Sequence, residues 1–156
     1  MKIFTLHKEQ CLPITIEDAW DFFSHPSNLA KITPPEVKFE TVTDTGDQKS
    51  YNGMRIQYKL RPLMNIPLRW ETEIRNVDAP MKFMDKQMKG PYALWEHTHT
   101  FAKINGGVKM TDEVRYALPM GWLGILAHSI LVKKKLEQIF QFREATLKKL
   151  FGEYNA

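Results

Sequence analysis

The stretch Trp95-Glu96-His97-Thr98-His99-Thr100-Phe101 sets two imidazoles two residues apart between aromatic side chains. Imidazole titrates near neutral pH and also ligates metals, so this spacing admits proton chemistry, metal binding or the lining of a pocket. Side chains alternate along a strand, so Trp95, His97, His99 and Phe101 share one face and Glu96, Thr98 and Thr100 the other. Downstream, Asn105-Gly106 predicts a two-residue hairpin closed by Ile104 and Gly107. That register sets Phe101 opposite Met110, His99 opposite Asp112, His97 opposite Val114 and Trp95 opposite Tyr116. On the reverse face it sets Glu96 opposite Arg115 and Thr98 opposite Glu113. The aromatic and apolar face, with its embedded His and Asp, is therefore the inner one, and a slip of one residue would reverse every facing.

Three chemistries compete for these residues. A metal would need a third placed ligand beside His97 and His99; His7, His25 and His128 lie on other elements, so no metal site is assigned. An acid/base pair would use His99 oriented by Asp112, the carboxylate fixing one tautomer and raising the imidazole pKa. In the third reading the His and Asp satisfy each other, and the remaining polar atoms orient the head group of an apolar ligand. No Gly-x-Ser-x-Gly elbow, glycine-rich phosphate loop or His-Glu-x-x-His motif is present. Ser24 beside His25 reads as the end of a helix rather than a nucleophile.

The elements that must hold these residues follow from periodicity. Lys2 to Leu12 alternates and reads as a strand; Thr15, three residues before Asp18, stands where a helix N-cap would, and Ile16, Ala19, Trp20 and Phe23 follow at helical spacing. A second helical turn is expected over Asn28 to Ile32. Strands are then expected over Val37–Val42, Met54–Arg61, Leu68–Val77, Met81–Met88, Ala93–Ile104 and Val108–Leu118, joined by turn sequences into an antiparallel meander. Ile56, Tyr58 and Leu60 face inward on one strand, and Leu68, Trp70, Thr72 and Ile74 on the next. In Met81–Met88 either Phe83, Asp85 and Gln87 or Lys82, Met84, Lys86 and Met88 face inward; burying two lysines costs more, so Phe83, Asp85 and Gln87 are taken as inner. Beyond Pro119 the period becomes helical, with Val132, Leu136, Ile139, Phe140, Arg143, Leu147, Leu150 and Phe151 on one broad face.

Composition bounds the rest. The 156 residues suit a single domain over 1–156, and 43% hydrophobic with 26% charged residues is ordinary for a globular chain. A formal net charge of +4 is spread along the chain, with Lys133-Lys134-Lys135 its only basic run, so no nucleic-acid partner is expected. Cys11 is the only cysteine, which excludes an internal disulfide and thiolate metal clusters and fits a reducing, cytoplasmic setting. No apolar run is long enough for stable membrane insertion.

The order β-α-α-β-β-β-β-β-β-α, with the stretches Asp85–Phe101, Met110–Gly121 and Leu136–Phe151, resembles the START and birch-pollen-allergen-like superfamily, often called SRPBCC. The resemblance covers nearly the whole chain and is strongest to bacterial ligand-binding, polyketide-cyclase-like or coenzyme Q-binding-like members. It implies an α+β helix-grip fold, a curved antiparallel sheet wrapped around a long C-terminal helix and an internal cavity. Fold does not fix activity.

These readings converge on a binder of a hydrophobic or amphipathic small molecule, such as a lipid, quinone or polyketide-like compound, with no cofactor. The expected wall is Tyr58, Trp70, Phe83, Trp95, Phe101 and Tyr116, and the expected head-group residues are His97, His99, Asp112 and Asp85. The loop Arg61–Pro67 and the segment Leu118–Gly124 are candidate gates, since apolar residues beside Pro and Gly often border a pocket mouth. One alternative is a cyclase or hydratase-type enzyme with His99 and Asp112 as its catalytic pair. The other is a protein-interaction module.

Overall fold

The computed structural model describes residues 1–62 and 64–155. Strand β1 (Phe4–Leu12) leads into α1 (Ile16–Phe23), two 3-10 turns (Pro26–Ile32 and Pro35–Val37) and a short β2 (Glu40–Thr41). Strands β3 (Arg55–Leu60), β4 (Leu68–Asp78), β5 (Lys82–Lys89), β6 (Leu94–Ile104) and β7 (Gly107–Ala117) follow as a meander. The chain ends in α2 (Gly121–Ala127), a wider π turn (His128–Val132) and α3 (Lys133–Phe151), consecutive residues of one helical run.

One antiparallel sheet holds all seven strands in the order β1-β7-β6-β5-β4-β3-β2, so the meander returns its last strand beside its first. The expected helix-grip architecture is observed. The β6–β7 register is that of the Asn105-Gly106 hairpin: Ile104 pairs with Gly107, His99 with Asp112 and Trp95 with Tyr116. Gly106 supplies the positive φ of +78° that the turn requires. Gly107 is needed for a different reason: a Cβ there would stand 2.2 Å from the carbonyl oxygen of Leu12, so its absence lets β1 close on β7.

Thr15 caps α1, its hydroxyl accepting the Asp18 N–H at 3.0 Å. The apolar face of α1, Ile16, Ala19 and Trp20, packs with Leu12, Phe83, Phe101, Met110 and Leu147 under one half of the sheet. In the other half Val132 of the π turn and Leu136 and Phe140 of α3 lie on Trp95, Val114 and Tyr116. Trp70 touches both clusters. The expected strand Val37–Val42 shrinks to Glu40–Thr41, because Pro34 and Pro35 set a 3-10 turn and Lys38 sits at φ +50°, outside the strand region.

Candidate functional site

Between the two apolar clusters the sheet and α3 enclose a cavity of about 270 Å³. Tyr58, Trp70, Phe83 and Trp95 line it from the sheet, Phe23 and Leu29 from α1 and the turn after it, and Leu136, Ile139 and Phe140 from α3. Among its polar lining groups, Asp85, His97 and His99 from the sheet and Arg143 from α3 meet in one cluster. Asp85 faces inward with Phe83, paired with His97 and His99 respectively across β5–β6, as the lysine argument requires.

The side-chain pairing differs from the backbone pairing. His99 stands opposite Asp112 in the ladder, yet its Nε2 bonds Asp85 Oδ2 at 2.6 Å, while Nε2 of His97 bonds Asp112 Oδ1 at 2.8 Å. The diagonal reach arises because the two rings stack on each other, centroids 3.8 Å apart, and Phe83 stacks on His99 from the next strand at 4.2 Å. His99 Nδ1 lies 3.5 Å from Asp112 Oδ1 and makes no hydrogen bond, and His97 Nδ1 is 3.9 Å from Asp85 Oδ2.

A residue the sequence did not single out completes the cluster. Arg143 projects from α3, is 7% exposed, and donates from Nη2 to Asp112 Oδ1 at 3.1 Å. Its guanidinium lies over the rings of Phe23 and Phe140, at 5.4 and 5.7 Å. Its place on the apolar helix face was legible; the signal that could have marked it is a lone cation at a core position, which needs a buried anion. Lys8 to Glu137 at 2.6 Å and Gln10 to the Glu144 carbonyl at 3.1 Å clamp α3 to β1 and hold Arg143 over the sheet.

The electrostatics divide the two imidazoles. Burial opposes charge on Asp112, but Arg143 and the two histidines hold its carboxyl well below the usual range. Asp85 is likewise lowered against its burial by His97, His99 and Arg143. Burial would also lower both imidazoles. It prevails for His97, reinforced by the neighbouring His99 charge, whereas the flanking carboxylates reverse it and raise His99. Two carboxylates thus face Arg143, and they favour the charged form of His99 while burial disfavours that of His97. Burial first, and then Asp85, push the Tyr58 hydroxyl far above its usual range, so it stays a donor.

Asp85, His97 and His99 each offer a ligand atom, all within 4.8 Å of one another, so Asp85 supplies the third ligand that sequence reading lacked. A cation there would have to break the 2.6 Å His99–Asp85 bond beside the Arg143 charge, and the donor set fits a proton better. Two expected wall residues do not line the cavity. Phe101 packs against Trp20 and Phe23, and Tyr116 gives its hydroxyl to a 2.7 Å hydrogen bond with His128, a histidine that reading the sequence set apart from the site. Asp112 stands behind His97 and Arg143 rather than at the cavity surface. Of the expected gates, Pro62 and Leu118 border the cavity; Leu63 lies outside the described residues.

No protein-family profile and no curated protein matches the chain. Solved structures do match. A protein from Chromobacterium violaceum superposes with a TM-score of 0.71 at 14% identity, covering 96% of this chain and 98% of that one. Ginseng major latex-like protein 151 from Panax ginseng gives 0.69 at 10% identity, covering 96% and 97%. A protein from Mycobacterium smegmatis gives 0.66 at 16% identity, covering 96% and 98%. At such identities the likeness establishes the fold.

Proposed function

We propose that this chain, an SRPBCC-like protein of the ligand-binding type, takes up a compact amphipathic molecule whose polar end is a neutral hydrogen-bond acceptor. One observation carries the reading: in a mainly apolar cavity, Arg143 Nε and His99 Nδ1 are buried without a hydrogen-bond partner. An unpaired buried donor costs about 1–3 kcal/mol, which a bound acceptor would return. Asp85 and Asp112 already place two carboxylates in the cluster, so a carbonyl of a ketone, quinone or ester suits it better than a further carboxylate. About 270 Å³ is at the small end for ligand sites and favours a ring system over a long chain inside the cavity.

Native mass spectrometry before and after organic extraction tests this. An adduct on the order of a few hundred daltons, lost on extraction, supports it. No adduct, together with no uptake of the dye anilinonaphthalene sulfonate, would sink it.

The unequal protonation of the stacked imidazoles favours a second reading, proton transfer on a carbonyl compound of cyclase or hydratase type. In it His99 Nδ1–H holds the carbonyl oxygen while neutral His97 Nδ1 accepts the proton from the adjacent carbon. His99→Ala separates the two: an enzyme loses turnover and keeps binding, whereas a carrier changes ligand preference and has no rate to lose.

A further inference from the structure

The first turns of the C-terminal helical run break the pattern of the rest. Trp122, Leu126 and Ile130, four residues apart, lie along one side and are 72%, 50% and 61% exposed. Leu123 and Ile125 flank them, and Met120 and Leu131 extend the patch at either end, all exposed. Only Gly124, His128 and Val132 of this segment are buried, on the opposite side. A patch of this kind on one short segment marks a surface that something covers.

Charge says what covers it. No Asp or Glu occurs between Glu113 and Glu137, while Lys133, Lys134 and Lys135 follow the patch directly on the same helical run. We propose that this segment docks, without spanning, on the surface of an anionic lipid bilayer. The apolar side chains would sink to the acyl boundary and the lysines would rest among the head groups. Two features separate a bilayer from a protein partner. The apolar residues wrap around more than one side of the helix, which a fluid phase can surround and a groove of fixed shape cannot. A second copy laid patch to patch would leave each lysine triplet with no acid in the segment to pair it, beside the other triplet if the helices run parallel and beyond the far end of the patch if they run antiparallel. Trp122 is the side chain suited to the interface itself, apolar in its body with one N–H donor. Leu118, Val132 and Lys135 of this region also line the cavity, so docking places its border at the lipid. The inference stands whether or not the cavity holds a ligand.

Cosedimentation with vesicles tests it. The purified protein should pellet with phosphatidylcholine vesicles containing about 30% phosphatidylglycerol, and should be released at about 0.5 M salt, where screening reaches within roughly 4 Å. Replacing the three lysines by Glu should lower the partition coefficient about a hundredfold, and Trp122→Ser with Leu126→Ser about tenfold or more. Brominated phosphatidylcholine should quench the emission of the wild type, and Trp122→Phe should bind but lose most of that quenching, since Trp20 and Trp95 are buried and Trp70 is half-buried in the cavity wall. Of the five positions replaced by Ser or Glu, four are exposed and Lys135 is half-buried at the cavity border, and a circular-dichroism melt checks that the variants fold. Failure to pellet with anionic vesicles overturns the proposal. So does pelleting that neither variant weakens, or a dimer broken by Trp122→Ser in a protein that ignores vesicles, which would assign the patch to a second copy.

Discussion

Arg143 on α3 and Asp112 on β7 meet at 3.1 Å, both nearly excluded from solvent, and this pair joins the helix to the polar cluster of the sheet. Asp112 in turn holds His97, and the ring of His97 stacks on His99. One cation from the helix is therefore linked, through the Asp112 carboxylate it helps keep ionised, to two histidines it does not bond.

Arg143→Met leaves Asp112 buried with its main counter-charge gone. The expected loss is about 3–5 kcal/mol of unfolding free energy, and adding Asp112→Asn should return most of it, since the amide oxygen still accepts from His97 and no charge is left buried without its partner. Urea unfolding of the two single variants and the double gives the coupling directly. Losses that simply add would show that the pair is not energetically linked.

The two histidines should respond to pH with opposite signs. His99, raised, contributes stability that is full below its unfolded pKa of about 6.5 and is lost as pH rises through its native value. His97, lowered, contributes stability that is present above about 6.5 and is lost as pH falls through its native value. His97→Gln should therefore become more stable from alkaline pH down to about pH 6, and His99→Gln less stable. Parallel slopes in chemical denaturation would contradict the assignment of the imidazolium to His99. Below about pH 4 both variants should lose stability as the two depressed carboxylates protonate.

Ile139 lines the cavity from α3 and is only partly buried. Ile139→Trp should fill the space and reduce uptake of anilinonaphthalene sulfonate about tenfold or more, with the melting temperature held within a few degrees. Unchanged dye binding would place the dye site elsewhere.

Gly107→Ala tests the closure of the sheet. Its methyl group would fall 2.2 Å from the Leu12 carbonyl oxygen, so β1 must shift, at an expected cost of about 2 kcal/mol or more in thermal or urea unfolding. A neutral result would mean that the edge pairing yields without loss.

The amino-acid sequence alone determined the strand series, the long C-terminal helix and the hairpin register, because side-chain alternation and the Asn105-Gly106 turn are local properties. Through that register it also set His97, His99 and Asp112 on one inner face, and the cost of burying Lys82 and Lys86 added Asp85 to it. Tertiary structure alone decided how those groups pair. The diagonal bonds of His99 to Asp85 and of His97 to Asp112 accompany ring stacking across two strands, β5 and β6. Arg143 reaches the cluster only because β1 clamps α3 across the sheet, a contact that links residues 129 positions apart. The same packing withdrew Phe101 and Tyr116 from the cavity wall, since α1 covers the first and His128 engages the second. Periodicity assigns a side chain to a face, but which neighbour it meets there is fixed by how the helices cross that face.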